Sequence, residues 1–170
     1  RHLPLQLLRG CLLVSSSFMF VLGVKHVPLA DMLALIMSAP LIVTALSPAL
    51  RGERVGATRV LASVLGFAGA LLVIQPGTGT MQWSSLIGLA AGTNFSLYLI
   101  ITRKLAGSAP PMVTLAYTAV IGAGVMSATL PFVWETPPWR EGLMMVGIGC
   151  CAACGHYLLI RAYERAPAAL

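Results

Sequence analysis

Long stretches without charge dominate this sequence and limit what it can fold into. Asp, Glu, Lys and Arg are absent from three long intervals, which are 60–102, 105–134 and 142–160. A helix needs about 20 apolar residues to cross a hydrocarbon core of about 30 Å, so each interval supplies one or two membrane spans. Of the 170 residues, 58% are hydrophobic and 9% are charged, whereas about a quarter of the residues of a soluble domain are charged. The chain is therefore expected to be an integral membrane protein.

Charges, prolines and glycines divide the chain into six predicted transmembrane helices. Their ranges are 10–27, 29–50, 58–75, 83–102, 112–133 and 142–162. Backbone groups in lipid must be paired within the spanning segment, and an alternating period of two is absent, so helices are favoured over barrel strands. The predicted fold class is all-α, a polytopic transmembrane helix bundle. Because the first helix is short, we expect Arg9 and Lys25 to extend from its ends to the membrane interfaces.

Basic residues are concentrated in alternate connections between these helices. Nine of the eleven lie at the residue-1 end, in 51–59, in 103–111 or at the residue-170 end, and only Lys25 and Arg140 lie elsewhere. Cytoplasmic loops retain Lys and Arg, so both ends of this chain are expected in the cytoplasm. We expect the membrane to be a bacterial inner membrane. The net charge of +6 is then a topology signal, and no nucleic-acid partner is expected.

A modest internal repeat links the first and sixth predicted helices. Residues 10–30 resemble residues 149–169 at an offset of 139, with Pro28 matching Pro167. The matched helices are the first and the sixth, with four others between them, so the two cross the membrane in opposite directions. An odd number of helices per repeat gives inverted topology, an arrangement common among secondary transporters.

The repeat predicts ten helices in two halves of five. Residues 1–76 would form the end of the first half, with the spans 10–27, 29–50 and 58–75. Residues 77–170 would form the start of the second half, with the remaining three predicted spans.

Several short segments resemble one transporter family in their order and spacing. They are VPLAD at 27–31, SAPL at 38–41, RGERV at 51–55, GFAGALLV at 66–73 and RAYERAPA at 161–168. The chain resembles the drug/metabolite transporter superfamily, specifically EamA-type proteins with two five-helix repeats. The resemblance implies that helices three to eight of ten are present. It also implies a secondary transporter, in the direction of export, for small metabolites or drugs by alternating access.

Polar and helix-breaking residues inside the spans mark the expected substrate path. His156 is ionisable, and such a group within a span is costly and usually faces a cavity or a partner. Ser17 is its counterpart in the repeat, and Pro40 removes a backbone hydrogen bond from the second span. The candidates are Ser16, Ser17, Pro40, Asn94, Tyr98 and His156. For each of them an ordinary structural role, as a packed polar group or a tolerated kink, is left open.

Patterns typical of enzymes, cofactor sites and metal sites are missing from the sequence. It has no acidic pair within a span, no Gly-rich phosphate loop with a lysine and no Ser/His/Asp set. The cysteines and His156 of the last span do not share one helix face, since Cys151 lies about 100° from Cys150. We therefore expect no catalytic, cofactor-binding or metal-binding residues.

Gly88 and Gly92 are spaced four residues apart, and we expect them to serve close helix packing.

Two other interpretations stay open beside transport. One is an integral membrane enzyme acting on lipid-linked substrates, for which only Glu53 and the arginines beside it offer reactive groups. The other is a non-functional fragment of a transporter. The expected partners are a small-molecule substrate and the lipid bilayer, and homodimer formation is left open.

Overall fold

The computed structural model describes residues 3–44, 56–74 and 84–165, and all regular structure within these ranges is helical. The helices are α1 (Leu3–Val24), α2 (Leu29–Ile36), α3 (residues 39–44), α4 (Ala57–Ile74), α5 (Ser84–Leu105), α6 (Pro111–Val133) and α7 (Trp139–Arg165). Four of them, α1, α5, α6 and α7, are long and apolar enough to cross a membrane. The predicted all-α, polytopic fold class is therefore confirmed.

The first helix begins earlier than its predicted range. It begins at Leu3 and not at residue 10, so Arg9 lies inside the helix. Arg9 is 0% exposed, and the prediction that it extends to a membrane interface was wrong. Oxygen atoms of other residues inside the protein accept the hydrogen bonds of Arg9. Lys25, by contrast, is exposed in the turn that follows α1.

The second predicted span, 29–50, is interrupted. Helix α2 ends at Ile36, a turn occupies residues 37 and 38, and α3 begins at residue 39. Within the described residues, Leu29–Thr44 and Val60–Gly69 are apolar helical stretches shorter than the four long helices. Glu53 and the segment 51–55, which carried part of the family resemblance, lie outside the described residues, as does the end of this span.

Prolines and charges determine where α5 ends and α6 begins. Arg103 lies in the last turn of α5, where a cation interacts favourably with the helix dipole. Gly107 follows with φ of 76°, a left-handed conformation that glycine adopts without a Cβ penalty. Pro110 is extended, with ψ of 141°, and Pro111 opens α6 in the first turn, where a missing N–H costs no helical hydrogen bond.

The chain forms two compact units. The first unit consists of Arg1–Cys11 and Ile101–Leu170, and the second consists of Leu12–Ile100. In the first unit α6 packs on α7, and in the second α2 packs on α4. The boundary between two repeats at residues 76 and 77 is a separate question of topology, and it stays a prediction.

Helix α7 presents an extensive apolar surface. All side chains from 143 to 155 are exposed, among them Leu143 (62%), Met144 (66%) and Ile148 (70%). Such a surface is unfavourable in water and suits lipid or other membrane helices.

Candidate functional site

The turn between α2 and α3 is built around Pro40. Proline has no N–H, so the carbonyl of Ile36 receives no helical bond from it, and the ring disfavours a continuous helix here. Instead, the Ser38 N–H donates to the Leu35 carbonyl at 3.1 Å, and the Leu41 N–H donates to the Ser38 carbonyl at 3.0 Å. Helices α2 and α3 are thus two parts of one discontinuous helix. Discontinuous helices frame the substrate sites of many secondary transporters.

A face of small residues on α5 packs against this turn. It consists of Gly88, Gly92 and Ser96, which are spaced four residues apart on one side of the helix. A Cβ at Gly88 would lie 2.6 Å from the Leu35 side chain, and one at Gly92 would lie 3.1 Å from the Leu35 carbonyl oxygen. The Ser96 hydroxyl lies 3.2 Å from the Ala39 carbonyl oxygen. The sequence prediction that Gly88 and Gly92 serve close packing is confirmed.

Hydrogen bonds also connect α1 with α5 within the second unit. The Asn94 amide nitrogen donates to the Ser15 hydroxyl at 3.2 Å and contacts the Met19 sulfur at 3.4 Å. The Ser16 hydroxyl donates to the Ala91 carbonyl at 2.8 Å. Two of the predicted path residues, Ser16 and Asn94, therefore lie on the same pair of helices, which we call the α1–α5 seam.

The other predicted path residues have different surroundings. Tyr98 is fully buried and its ring stacks on Phe95, with 5.8 Å between ring centroids. Pro40 is exposed beside the turn that it creates, and Ser17 is exposed although its neighbour Ser16 is buried. His156 is half-buried on α7 in the first unit.

A second group of buried polar residues, which the sequence did not predict, lies in the first unit. The Arg9 guanidinium donates through Nη1 to the Thr102 hydroxyl at 3.5 Å. Through Nη2 it donates to the Thr114 carbonyl at 2.5 Å and to the Thr118 hydroxyl. The Gln6 amide nitrogen donates to the Thr114 hydroxyl at 3.4 Å. We call Gln6, Arg9, Thr102, Thr114 and Thr118 the Arg9 centre.

The Arg9 centre gathers buried side chains from α1, α5 and α6. Its members range from 0% to 9% exposed. A cation within a span is costly and usually marks a functional site, and here the carbonyl and hydroxyl oxygens of three threonines surround it. His156 on α7 belongs to the same compact unit as the Arg9 centre. The signal in the sequence was the mainly apolar stretch LPLQLL at 3–8, which extends the first span past Arg9.

Metal-ligating side chains do not converge in the described ranges. No group of three or more His, Cys, Asp or Glu residues there could hold a metal ion. The four cysteines are exposed and free thiols. The polar side chains of the α1–α5 seam and the Arg9 centre carry hydroxyl, amide and guanidinium groups.

Comparison with curated proteins relates this chain to bacterial transporters. It is 26% identical over 151 residues to a riboflavin transporter of Rhizobium johnstonii, covering 88% of this chain and 50% of the relative. It is 26% identical over 161 residues to a riboflavin transporter of Vibrio cholerae, covering 89% and 54%. It is 23% identical over 162 residues to an S-adenosylmethionine uptake transporter of Rickettsia bellii, covering 95% and 56%.

The chain thus spans about half the length of the curated relatives it matches. No family model matches it, and no solved structure does. The names of the relatives support transport and not catalysis, in agreement with the prediction that the protein is not an enzyme. Together with its long apolar helices, these similarities relate the chain to integral membrane transporters of small molecules.

Proposed function

We propose that this chain belongs to a secondary transporter of small metabolites that works by alternating access. The observation that carries the proposal is the discontinuous helix α2–α3, packed on the small-residue face of α5. A broken helix exposes backbone carbonyls to a solute, and neighbouring helices must then supply the remaining polar contacts. Asn94 and Ser16 supply such contacts on the same helix α5 and its partner α1.

The substrate path in this proposal runs along the α1–α5 seam beside the turn at 37–38. The Asn94 amide, which donates to the Ser15 hydroxyl in the structure, would donate to a bound solute instead. Tyr98 adds a buried aromatic ring one turn further along α5. Close contact at Gly88 and Gly92 lets the broken helix slide against α5 without interlocking side chains. Ser17 and His156, which correspond in the internal repeat, stay candidates from the sequence alone, and His156 belongs to the other compact unit.

The proposed topology follows from the repeat and from the positions of basic residues. We assign the chain to helices three to eight of an EamA-type transporter with two inverted repeats of five helices. The repeat boundary lies at residues 76 and 77, and both ends of the chain face the cytoplasm of a bacterial inner membrane. The supporting observation is the placement of nine of eleven basic residues on one predicted side.

The names of the relatives suggest which solutes to test first. Riboflavin and S-adenosylmethionine are the first candidates, followed by amino acids, nucleosides and cationic drugs. Export is the direction that the family resemblance implies, whereas the Rickettsia relative is named for uptake. Flux should therefore be measured in both directions across the same membrane.

The deciding experiment is solute flux by the full-length gene product reconstituted in liposomes. Labelled riboflavin and S-adenosylmethionine are supplied inside or outside, and Asn94→Ala is compared with Thr93→Ala. Among the described residues the Thr93 hydroxyl bonds only the Leu89 carbonyl of its own helix, so Thr93→Ala is the matched control. We expect at least a tenfold loss of flux in Asn94→Ala and little change in Thr93→Ala. Equal flux in both variants would remove Asn94 from the path, and no flux of any panel solute by the wild type would refute transport.

A further inference from the structure

The Arg9 centre contains a buried polar atom that its neighbours do not satisfy. Gln6 is 4% exposed, and its amide oxygen Oε1 has no hydrogen-bond partner among the described residues. A buried polar atom left without a partner destabilises the folded protein. Such an atom in a native structure calls for an explanation, and a donor supplied by a bound ligand is one that satisfies it.

Gln6 and Arg9 present opposite hydrogen-bonding groups from one face of α1. They are three residues apart, one turn of helix, and both bond to Thr114. Arg9 supplies only N–H donors, whereas the free oxygen of Gln6 is an acceptor. A solute group that fits both must carry an oxygen acceptor directly beside an N–H donor.

We propose that the Arg9 centre binds the imide or ureide edge of a transported solute, with a solute carbonyl on Arg9 and the adjacent solute N–H on Gln6 Oε1. This inference rests on the proposed transport function and adds to it the chemical class of the substrate. A carboxylate or phosphate would satisfy Arg9 but would leave the Gln6 oxygen without a donor, so the orphaned acceptor favours the imide. Flavins and pyrimidine bases both carry such an edge.

In the structure, oxygens of α6 occupy the Arg9 guanidinium. A solute carbonyl must therefore replace these oxygens when it binds. Arg9 bonds to the Thr114 carbonyl and the Thr118 hydroxyl, both on α6. The Thr118 hydroxyl also donates to the Thr114 carbonyl at 3.1 Å, so it keeps a partner when Arg9 leaves. The guanidinium is hydrogen-bonded before and after the exchange, which keeps the free-energy difference between the closed and solute-bound states small. A small difference is what a solute needs in order to shift the population of two states.

The test measures whether the protein binds a flavin more tightly when the flavin carries the imide N–H. Riboflavin binding to the purified full-length gene product in detergent is followed by quenching of flavin fluorescence. The competing probe is N3-methylriboflavin, in which a methyl group replaces the imide hydrogen. We expect the wild type to prefer riboflavin by about tenfold or more, because a site built to bond an N–H rejects the analogue that lacks it.

Substitutions in the Arg9 centre test whether its residues cause the preference for riboflavin over N3-methylriboflavin. Gln6→Met keeps the length of the side chain and removes the acceptor, so the preference should fall to near one. Thr118→Val, which removes one partner of Arg9 without touching Gln6, should change riboflavin affinity and leave the preference in place. Thr93→Val is the control for a threonine-to-valine change, because in the described part of the chain the Thr93 hydroxyl bonds only the backbone of its own helix.

Each outcome decides the inference. A wild type that binds both flavins equally, or binds neither, overturns it, and so does a Gln6→Met protein that folds and keeps the preference. The wild-type comparison needs no variant, so misfolding of Gln6→Met leaves the inference testable. Preference in binding without flux in liposomes would refute the transport function alone, and flux without preference would refute the imide site alone.

Discussion

The carbonyl oxygen of Leu35 lies against Gly92, 3.1 Å from where a Cβ of residue 92 would stand. The contact joins the last turn of α2 to the middle of α5 through backbone atoms and not through flexible side chains. Neighbouring Ser38 Oγ and Ile36 Cα would lie at 3.4 and 3.5 Å from the same Cβ. Glycine is therefore required here by the close approach of two helices.

Substitution of Gly92 should destabilise the protein. In Gly92→Val the added carbons meet backbone that cannot rotate away, and overpacking of this kind costs about 1–3 kcal/mol. Gly66→Val is the matched control, because nothing lies within 4 Å of a Cβ at Gly66. Thermal unfolding in detergent should show a lower midpoint for Gly92→Val alone. Equal midpoints in the two variants would mean that α5 and α2 separate easily.

Pro40 should matter for transport more than for stability. Pro40→Ala restores an N–H that can bond the Ile36 carbonyl, which permits α2 and α3 to join into one helix. We expect unchanged or higher thermal stability together with a loss of flux of about tenfold. Pro111→Ala is the control, since Pro111 lies in the first turn of α6, where no helical bond is missing. Undiminished flux in Pro40→Ala would show that the break is only a tolerated kink.

The adjacent serines Ser16 and Ser17 should respond differently to alanine. Ser16 is buried and bonds the Ala91 carbonyl, so Ser16→Ala should lower stability by about 0.5–1.5 kcal/mol. Ser17 is exposed, and Ser17→Ala should lie within about 0.5 kcal/mol of the wild type. Thermal unfolding of both variants in one detergent makes the comparison. If Ser17→Ala were the more destabilised, the assigned rotation of α1 would be wrong.

The long helices were predictable because hydropathy and charge add up over about 20 residues, and single exceptions change the sum little. The predicted 112–133 and 142–162 accordingly lie close to α6 and α7, Pro111–Val133 and Trp139–Arg165. The position of the interruption near Pro40 was predictable in part, since proline disfavours the helix before it.

Two features of the sites were not predictable from local sequence. Ser16 and Ser17 have the same side chain and nearly the same neighbours, and only packing decides which of two directions about 100° apart is buried. The interface prediction for Arg9 came from the shortness of the first predicted helix, whereas its buried partners Thr102 and Thr118 lie 93 and 109 residues further along the chain. A single sequence carries no local pattern for pairs so far apart.

Arg9 offers a test that separates function from structure. Arg9→Met removes the cost of burying a charge along with its hydrogen bonds, and replacement of buried charges by apolar residues is often neutral or stabilising. Arg9→Lys keeps the charge but cannot reach the same oxygens with a planar fork, so it should be the less stable variant by about 1–3 kcal/mol. Arg140→Lys, at an exposed residue beside Trp139, is the control for an Arg-to-Lys change. Greater instability of Arg9→Met than of Arg9→Lys would make Arg9 a structural residue.

The proposed orientation predicts opposite accessibility for Lys25 and Lys104, which are both exposed. Three predicted spans separate them, so Lys25 should face the outside and Lys104 the cytoplasm. The four native cysteines are free and exposed, so a cysteine-free background with Ala at each position should fold. In that background, Lys25→Cys should react with a membrane-impermeant maleimide in right-side-out vesicles, and Lys104→Cys only in inside-out vesicles. Reaction of both from one side would contradict an odd number of spans between them, and the inverted-repeat topology would fail with it.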